Sequence, residues 1–195
     1  NSVGDAAFAR CLFTSIKIPR SVVSFRGNPF SYCDCLKEID VSENQNFVFV
    51  DGVLMNREMT QIIYCSFSKT GDYSIPNTVT TICGGAFTKC KFESITIPDS
   101  VREIGDLAFD HCNELTSIAV PGGVETLGQN PFFQCWKLLE VIFIGESQNF
   151  KVVDGVLFNK EMTRLIWCSY QKSGSYEAPS TVETIDLGAF RERRN

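Results

Sequence analysis

The sequence is poor in the residues on which most catalytic and nucleic-acid-binding sites depend. It contains one His and two Trp in 195 residues, and its formal net charge is −5. The single His111 leaves little room for a histidine-based catalytic triad, and no Gly-x-Ser-x-Gly or glycine-rich phosphate-binding motif accompanies it. The acidic balance disfavours nucleic acid, because counterion-driven binding needs clustered Lys and Arg. We therefore expect a protein that is not an enzyme and has no cofactor or nucleic-acid partner.

Long hydrophobic runs are also missing. The longest apolar stretches, such as residues 141–144, fall far below the ~20 residues that a transmembrane helix needs, so we expect no membrane insertion. Hydrophobic residues make up 44% and charged residues 21%, which is typical of an ordered globular chain. The 16 Phe stand out, and they favour one repeated structural position that Phe fills.

A motif of one basic length recurs along the chain. Each copy starts with Ile-x-Ile-Pro or a variant, continues with Val-x-x-Ile and Ala-Phe, and ends with Cys three positions after the Phe. The last apolar residue of the Ile-x-Ile part recurs from copy to copy at steps of 23, 34, 22, 23, 23 and 35 residues. The residues that give these steps are Ile18, Val41, Ile75, Ile97, Val120, Phe143 and Ala178. We predict one solenoid over residues 1–195 with about seven coils.

The two long steps contain matching insertions. Residues 47–54 correspond to 150–157, and residues 61–65 correspond to 164–168, so a super-repeat of about 102 residues has begun to occur twice. Each insertion contains Asp-Gly, which supplies the positive φ of a tight turn. We predict two β-hairpins that project from the same edge of the solenoid. Their tips are Asp51, Gly52, Asp154 and Gly155.

The motif itself indicates how each coil folds. Ile-x-Ile alternates with a period of two, so both Ile side chains point inward from a strand, and the following Pro ends the strand pairing. Val-x-x-Ile predicts a second short strand, and Ala-Phe-x-x-Cys a single helical or 3₁₀ turn. Stacked coils bury the apolar side chains that a single coil would leave exposed. The fold class predicted is a right-handed leucine-rich-repeat solenoid, with parallel strands on the concave face and short strands and helical turns on the convex face.

The nine Cys follow the repeat rather than a disulfide framework. An odd count and repeat-locked spacing favour buried free thiols, and no pair of Cys has zinc-ligand spacing with a partner pair, so we expect no metal site. Stacked neighbours such as Cys90 and Cys112 come near disulfide distance, so oxidation stays an alternative. Five Cys share one register: Cys11, Cys33, Cys90, Cys112 and Cys135.

The outward side of the predicted strands is the first candidate binding surface. It is small, hydroxyl-rich and acidic at intervals, which suits a polar or basic protein partner, although such a surface also serves solubility. The hairpin tips are the second candidate, because loops commonly carry function; their alternative is that they only widen the coil. The candidate residues of the strand face are Lys17, Asp40, Asp72, Ser74, Thr96, Ala119, Glu140, Ile142 and Glu177.

Residues 115–121 and 124–135 carry the pattern Leu-x-x-Ile-x-Ile-Pro-x-x-Val-x-x-Ile-Gly-x-x-Ala-Phe-x-x-Cys, with Pro131 in place of Ala. This pattern resembles the BspA-like leucine-rich repeats of surface proteins from anaerobic bacteria and parasitic protists. The resemblance implies a secreted or cell-surface protein that adheres to host matrix, host cells or another extracellular macromolecule.

A structural, self-associating scaffold joined through its open solenoid ends is the alternative. The chain starts and stops at the same point of the repeat without a polar cap, which favours a fragment of a longer array or pairing of ends between molecules.

Overall fold

The computed structural model describes residues 1–170 and 172–190. The chain forms a β-solenoid of about 8 turns. The strand spacing predicted about seven coils, and the convex turn at residues 5–10, which precedes the first strand segment, accounts for the difference. Within the described ranges all regular structure is strand, and the strands are numbered in chain order below.

The strands fall into three groups: those of the concave side, those of the convex side and those of the two insertions. The concave side consists of β2 (Ser15–Lys17), β4 (Glu38–Asp40), β8 (Thr70–Ser74), β10 (Lys91–Thr96), β12 (Ser117–Pro121) and β14 (Glu140–Ile144). The convex side carries the two-residue strands β1 (Ser2–Val3), β3 (Ser24–Phe25), β9 (Thr81–Ile82), β11 (Glu103–Ile104), β13 (Thr126–Leu127) and β18 (Thr184–Ile185). The two insertions contribute β5 (Phe47–Val50), β6 (Val53–Asn56) and β7 (Gln61–Cys65), and then β15 (Phe150–Val153), β16 (Val156–Asn159) and β17 (Arg164–Cys168).

Strands of successive coils pair in parallel, as the repeat predicts. The concave side divides into a sheet of β2 and β4 and a sheet in the order β14-β12-β10-β8. On the convex side β13, β11 and β9 continue directly into β7, β6 and β5, while β18 pairs with β17. The concave sheet is therefore interrupted where the first insertion enters the solenoid.

Each insertion contains the predicted hairpin, β5–β6 or β15–β16, closed by its Asp-Gly turn, but the hairpin does not project from the solenoid as the sequence predicted. In each insertion three strands form an antiparallel sheet, whose third strand joins the convex side in parallel. The middle strand β6 is inaccessible, with Val53, Leu54 and Met55 exposed by 1%, 0% and 2%. The exposed residues of the first insertion are Val50 and Asp51 at the turn, Arg57 and Glu58 after β6, and Gln61 at the start of β7.

Each inserted sheet divides the core of the solenoid, because its two faces contact different hydrophobic clusters. Leu54 and Ile63 belong to the cluster of the first coils, whereas Met55 and Ile62 belong to the large central cluster. The second insertion repeats this arrangement between the central cluster and a third one. The inserted sheets are thus internal partitions. We call β5–β7 the first partition and β15–β17 the second partition.

The convex turns are not helical, in contrast to the prediction. The residue two positions after each ladder Phe has a positive φ, for example 61° at Lys89 and 58° at His111, and an α-helix cannot continue through this conformation. The turn N–H groups bond to the next coil instead, as Phe87 N does to the Ala108 carbonyl at 2.8 Å. The other residues at this position are Arg10, Tyr32 and Gln134, with φ of 60°, 61° and 54°.

Phe forms a continuous ladder behind these turns. The ring of Phe109 stacks between Phe87 and Phe132 at centroid distances of 5.2 and 5.7 Å, and all three side chains are fully buried. At the partitions the ladder continues through Tyr64 and Trp167, which meet their Phe neighbours edge to face. Truncation of such a buried ring costs about 3–5 kcal/mol, which favours Phe at this position of each coil.

Candidate binding surfaces

The concave sheet brings four of the predicted binding residues side by side. Its register pairs Thr96 with Ser74 and with Ala119, and Ala119 with Ile142. Ser74, Thr96 and Ile142 are exposed and Ala119 is half-buried, while their neighbours along each strand face the core. The outward row that the sequence predicts is therefore present from β8 to β14, and we call it the concave row.

Asp72 and Glu140 lie on the same sheet, paired with Ser94 and Ser117, whereas the other three predicted members of this face lie outside it. Lys17 and Asp40 pair with each other on the separate sheet of β2 and β4. Glu177 is exposed but belongs to no strand. The first partition therefore interrupts the predicted row between Asp40 and Ser74. At the other end, the row stops at β14 and does not extend to Glu177.

Carboxylates border the concave row. The Ser94 hydroxyl donates to Asp72 Oδ1 at 2.6 Å, and Glu140 forms no ion pair with the residues that the structure describes. Lys17 Nζ lies 2.6 Å from Glu43, so its charge is already balanced. Hydrogen bonds from Ser42 lower the pKa of Asp40, which keeps this carboxylate ionised at neutral pH. The border of the concave row thus carries the carboxylates of Asp72 and Glu140.

An apolar patch closes the concave row at β14. Ile142 and Ile144 are 46% and 56% exposed on the outward side of this strand. The corresponding residues of β4, one super-repeat earlier, are Asp40 and Ser42. Sequence reasoning placed Ile142 in the outward row but missed Ile144, although strand alternation assigns both to the same side.

The hairpin tips are tied to the body of the solenoid. Asp51 and Gly52 have φ of 50° and 77°, which is the tight turn that Asp-Gly predicts, and the second tip repeats it with 50° and 75°. Lys69 forms an ion pair with Asp51 and lies 4.9 Å from the ring centre of Tyr73. In the second tip Lys172 Nζ donates to the Asp154 carbonyl at 2.8 Å and lies 5.0 Å from the Tyr176 ring.

A polar cluster on the convex side escaped the sequence analysis, which considered His111 only as a possible member of a catalytic triad. The buried Asp110 accepts hydrogen bonds from the Tyr32 hydroxyl at 2.5 Å and lies 2.6 Å from His111 Nδ1. Burial and the Asp110 carboxylate raise the pKa of Tyr32. The cluster joins turns that lie 78 residues apart in sequence, which no local motif could have revealed. The bond from the Tyr32 hydroxyl to Asp110 therefore fixes these two turns relative to each other.

Four of the five Cys in the ladder are buried as the repeat predicts, and Cys11 in the first coil is half-buried. The thiols of Cys112 and Cys135 donate to the carbonyls of Phe87 and Phe109 at 3.0 and 2.9 Å, one coil earlier. Burial raises the pKa of Cys90 and Cys112 well above the ordinary value. All nine Cys are free thiols in this structure.

Neither a metal cluster nor a membrane span is found in residues 1–170 and 172–190. No group of three or more His, Cys, Asp or Glu there could hold a metal ion. The same ranges contain no helix that could cross a bilayer.

The fold and the repeat define a leucine-rich-repeat solenoid, and the comparison with protein families identifies its type. The model of the BspA type leucine rich repeat region matches six copies, over residues 1–73 and 57–195. The chain therefore belongs to the BspA-type leucine-rich-repeat family. No curated protein matches the chain.

Solved structures with the same fold come from bacteria. A leucine-rich repeat protein from Eubacterium ventriosum is 27% identical with a TM-score of 0.65, over 74% of this chain and 46% of its own. The pneumococcal vaccine antigen PcpA is 24% identical with a TM-score of 0.61, over 76% and 43%. A leucine rich cell surface protein from Faecalibacterium prausnitzii is 22% identical with a TM-score of 0.56, over 97% and 61%. The matched parts thus span 43–61% of these longer chains.

Proposed function

We propose that this chain is a non-catalytic binding module of a secreted or cell-surface protein, and that it adheres to another macromolecule through the concave row. One observation carries the proposal: the outward residues of four paired strands are in register, with exposed Ser74 and Thr96 at one end, half-buried Ala119 between, and exposed Ile142 at the other end. Membership of the BspA-type family supports the location at the surface, as does the cell-surface protein among the similar structures.

The chemistry of the row indicates what its partner presents. Exposed Ile142 and Ile144 provide an apolar anchor, and such residues dominate binding energy when a partner covers them. Glu140 borders the row on the strand that carries the anchor, and Asp72 borders it at the opposite edge of the sheet, on β8. Both carboxylates select basic side chains. The fitting partner is a protein segment that combines apolar and basic residues, such as those of extracellular matrix proteins or host-cell receptors.

The test separates the concave row from the tips. We expect the double variant Ile142→Asp/Ile144→Ser, which copies the residues of the first super-repeat, to weaken binding by about tenfold or more. The pair Asp72→Ser/Glu140→Ser weakens it less and reduces its salt dependence. The matched control Asp51→Ser/Asp154→Ser leaves binding unchanged. Surface plasmon resonance against purified extracellular matrix proteins, with circular dichroism of each variant, measures these effects.

Two results would count against the proposal. Equal binding by the wild type and the Ile142/Ile144 variant would remove the concave row as the binding surface. A mass that rises with concentration in light scattering, without binding to any matrix protein or cell, would favour the self-associating scaffold instead.

A further inference from the structure

Each partition interrupts a regular chain of hydrogen bonds on the convex side. In the uninterrupted coils a backbone N–H of one coil donates to the carbonyl of the previous convex strand, as Gly105 N does to Ile82 and Gly128 N to Ile104, both at 2.8 Å. After β3 and β13 the chain enters an insertion, and no convex strand pairs on their far side. The carbonyls of Phe25 and Leu127 therefore lack this backbone donor.

In the second partition the side chain of Arg164 replaces the missing donor. Its Nη1 donates to the Leu127 carbonyl at 3.1 Å, and its Nη2 donates to the Gly128 carbonyl at 3.0 Å. Asp186 holds the guanidinium in place through Nε and Nη2 at 2.8 and 2.7 Å. This edge of the second partition is closed by one arginine.

The first partition has no such arginine. Gln61 occupies the position of Arg164, and Cys83 that of Asp186. Gln61 is exposed, and an open groove of about 250 Å³ lies between β3 and β5 at this point. Arg26 N donates to the Val3 carbonyl, so alternation along β3 turns the carbonyl of Phe25 to the other side, where the groove lies.

The lining of this groove suits a planar cation with several N–H donors. Besides the Phe25 carbonyl it offers the amide oxygens of Gln45, Asn46 and Gln61 and the carboxylate of Glu58, whose Oε2 accepts one hydrogen bond from Asn56. The Asn56 amide oxygen is occupied by the N–H groups of Thr60 and Gln61. Guanidinium has five donors in a fixed fork, whereas an ammonium group is a compact point charge. The polar residues that line the groove are Ser24, Gln45, Asn46, Asn56, Glu58 and Gln61.

We propose that the groove between β3 and β5 is a recognition site for an arginine side chain of a partner protein. The guanidinium donates to the Phe25 carbonyl, as Arg164 does to Leu127, and Glu58 supplies the negative charge that Asp186 supplies in the second partition. The groove is formed by residues other than those of the concave row. The test of this groove is therefore independent of the test of the proposed function.

The experiment titrates the wild-type chain with an acetylated and amidated Gly-Arg-Gly peptide, followed by isothermal calorimetry and backbone NMR shifts. We expect one binding site, with shifts at Phe25, Glu58 and Gln61. Gln61→Arg, which copies the second partition, abolishes binding, and Glu58→Gln weakens it at least about fivefold because the counter-charge is lost. Gln61→Ala is the matched control and retains the site.

The reciprocal variant Arg164→Gln opens the second partition, and the stoichiometry rises from one to two while circular dichroism reports the fold. The same peptide with Lys or with uncharged citrulline in place of Arg binds more weakly. Absence of saturable binding at millimolar peptide, equal affinity for the Lys peptide, unchanged binding by Gln61→Arg, or a stoichiometry of one in Arg164→Gln would each overturn the assignment.

Discussion

The two partitions have the same fold and different edges, and the difference shows where this repeat tolerates change. In both, three strands pair in the same register, and an Asp-Gly turn joins the first two strands. A lysine contacts the Asp of each turn. Both also use an Asn after the middle strand, Asn56 or Asn159, to bond the following Thr and the start of the third strand. The differences lie at the edge of the partition that faces the preceding coil, where Gln61 and Cys83 correspond to Arg164 and Asp186.

The strands that precede the partitions differ in the same way. Their inward residues Ile39 and Val141 are buried in both, while the outward pair changes from Asp40 and Ser42 to Ile142 and Ile144. Packing against adjacent coils fixes the inward positions, because a change there leaves a cavity. Specificity can therefore vary along the array without altering the coil.

The largest predicted effect tests whether both inserted sheets are buried walls. Leu54 and Leu157 are 0% exposed at the centres of the two partitions. Leu54→Ala and Leu157→Ala should each lower the free energy of unfolding by about 2–5 kcal/mol, from lost transfer energy and the remaining cavity. Urea denaturation measures the change. The tip residues Val50 and Val153 are the control, and truncation of either to Ala should cost less than about 0.5 kcal/mol.

The second prediction uses the thiol that replaces Asp186 in the first partition. Burial raises the pKa of Cys83 from 9.0 to about 11, so the folded state favours the neutral thiol. The unfolded chain releases this proton at lower pH, and the resulting stability is complete below pH 9 and is lost as pH rises towards 11. The loss amounts to about 2 kcal/mol at 1.36 kcal/mol per unit. Cys83→Ala should reduce the slope of stability against pH in this window, and an unchanged slope would contradict the assignment.

The third prediction compares the two residues at the edge of the partitions. Arg164→Gln leaves Asp186, whose side chain is 8% exposed, without its partner. We expect a loss of about 1–2 kcal/mol in the free energy of unfolding, because a hydrogen-bonded charge is left unpaired. Gln61→Ala in the first partition should change stability by less than about 0.5 kcal/mol. Thermal melts of the two variants provide the comparison, and equal shifts would show that the edges do not differ.

The smallest effect concerns a feature that both partitions share. Lys69, whose side chain is 14% exposed, pairs with the exposed carboxylate of Asp51, and the exposed Lys172 donates to the Asp154 carbonyl. Lys69→Ala and Lys172→Ala should each cost less than about 1 kcal/mol, because a polar contact with a solvent-exposed partner contributes little. The two losses should also be similar. A clearly larger effect at one tip would show that the tips are not equivalent.

The regular coils could be predicted from the sequence because the spacing of their apolar residues indicates which side chains face the core. Ile-x-Ile fixed which residues of β10 and β12 face inward, and the register of Thr96 with Ser74 and Ala119 agrees with it. The turn type could not be read, because the left-handed residues Lys89 and His111 are not glycines. Nothing in the local sequence marks them.

The partitions were misread because Asp-Gly signals a hairpin but not its surroundings. The better signal was in the third strand: four consecutive apolar residues at 62–65 and again at 165–168, without polar alternation. Such a run is typical of a strand buried on both faces. The concave row was predicted as a set of positions, but its break at the first partition depends on strand pairing between coils, which spacing alone does not reveal.

Native-state hydrogen exchange of β6 and β16, resolved by mass spectrometry, tests most directly whether the insertions are internal walls of the solenoid. Both strands are hydrogen-bonded on two sides and buried, so their amides should exchange only with global unfolding, as slowly as those of β12. The Asp-Gly turns between the strands should exchange much faster. Rapid exchange of β6 and β16 under native conditions, at rates close to those of the turns, would contradict the account and restore the projecting hairpins.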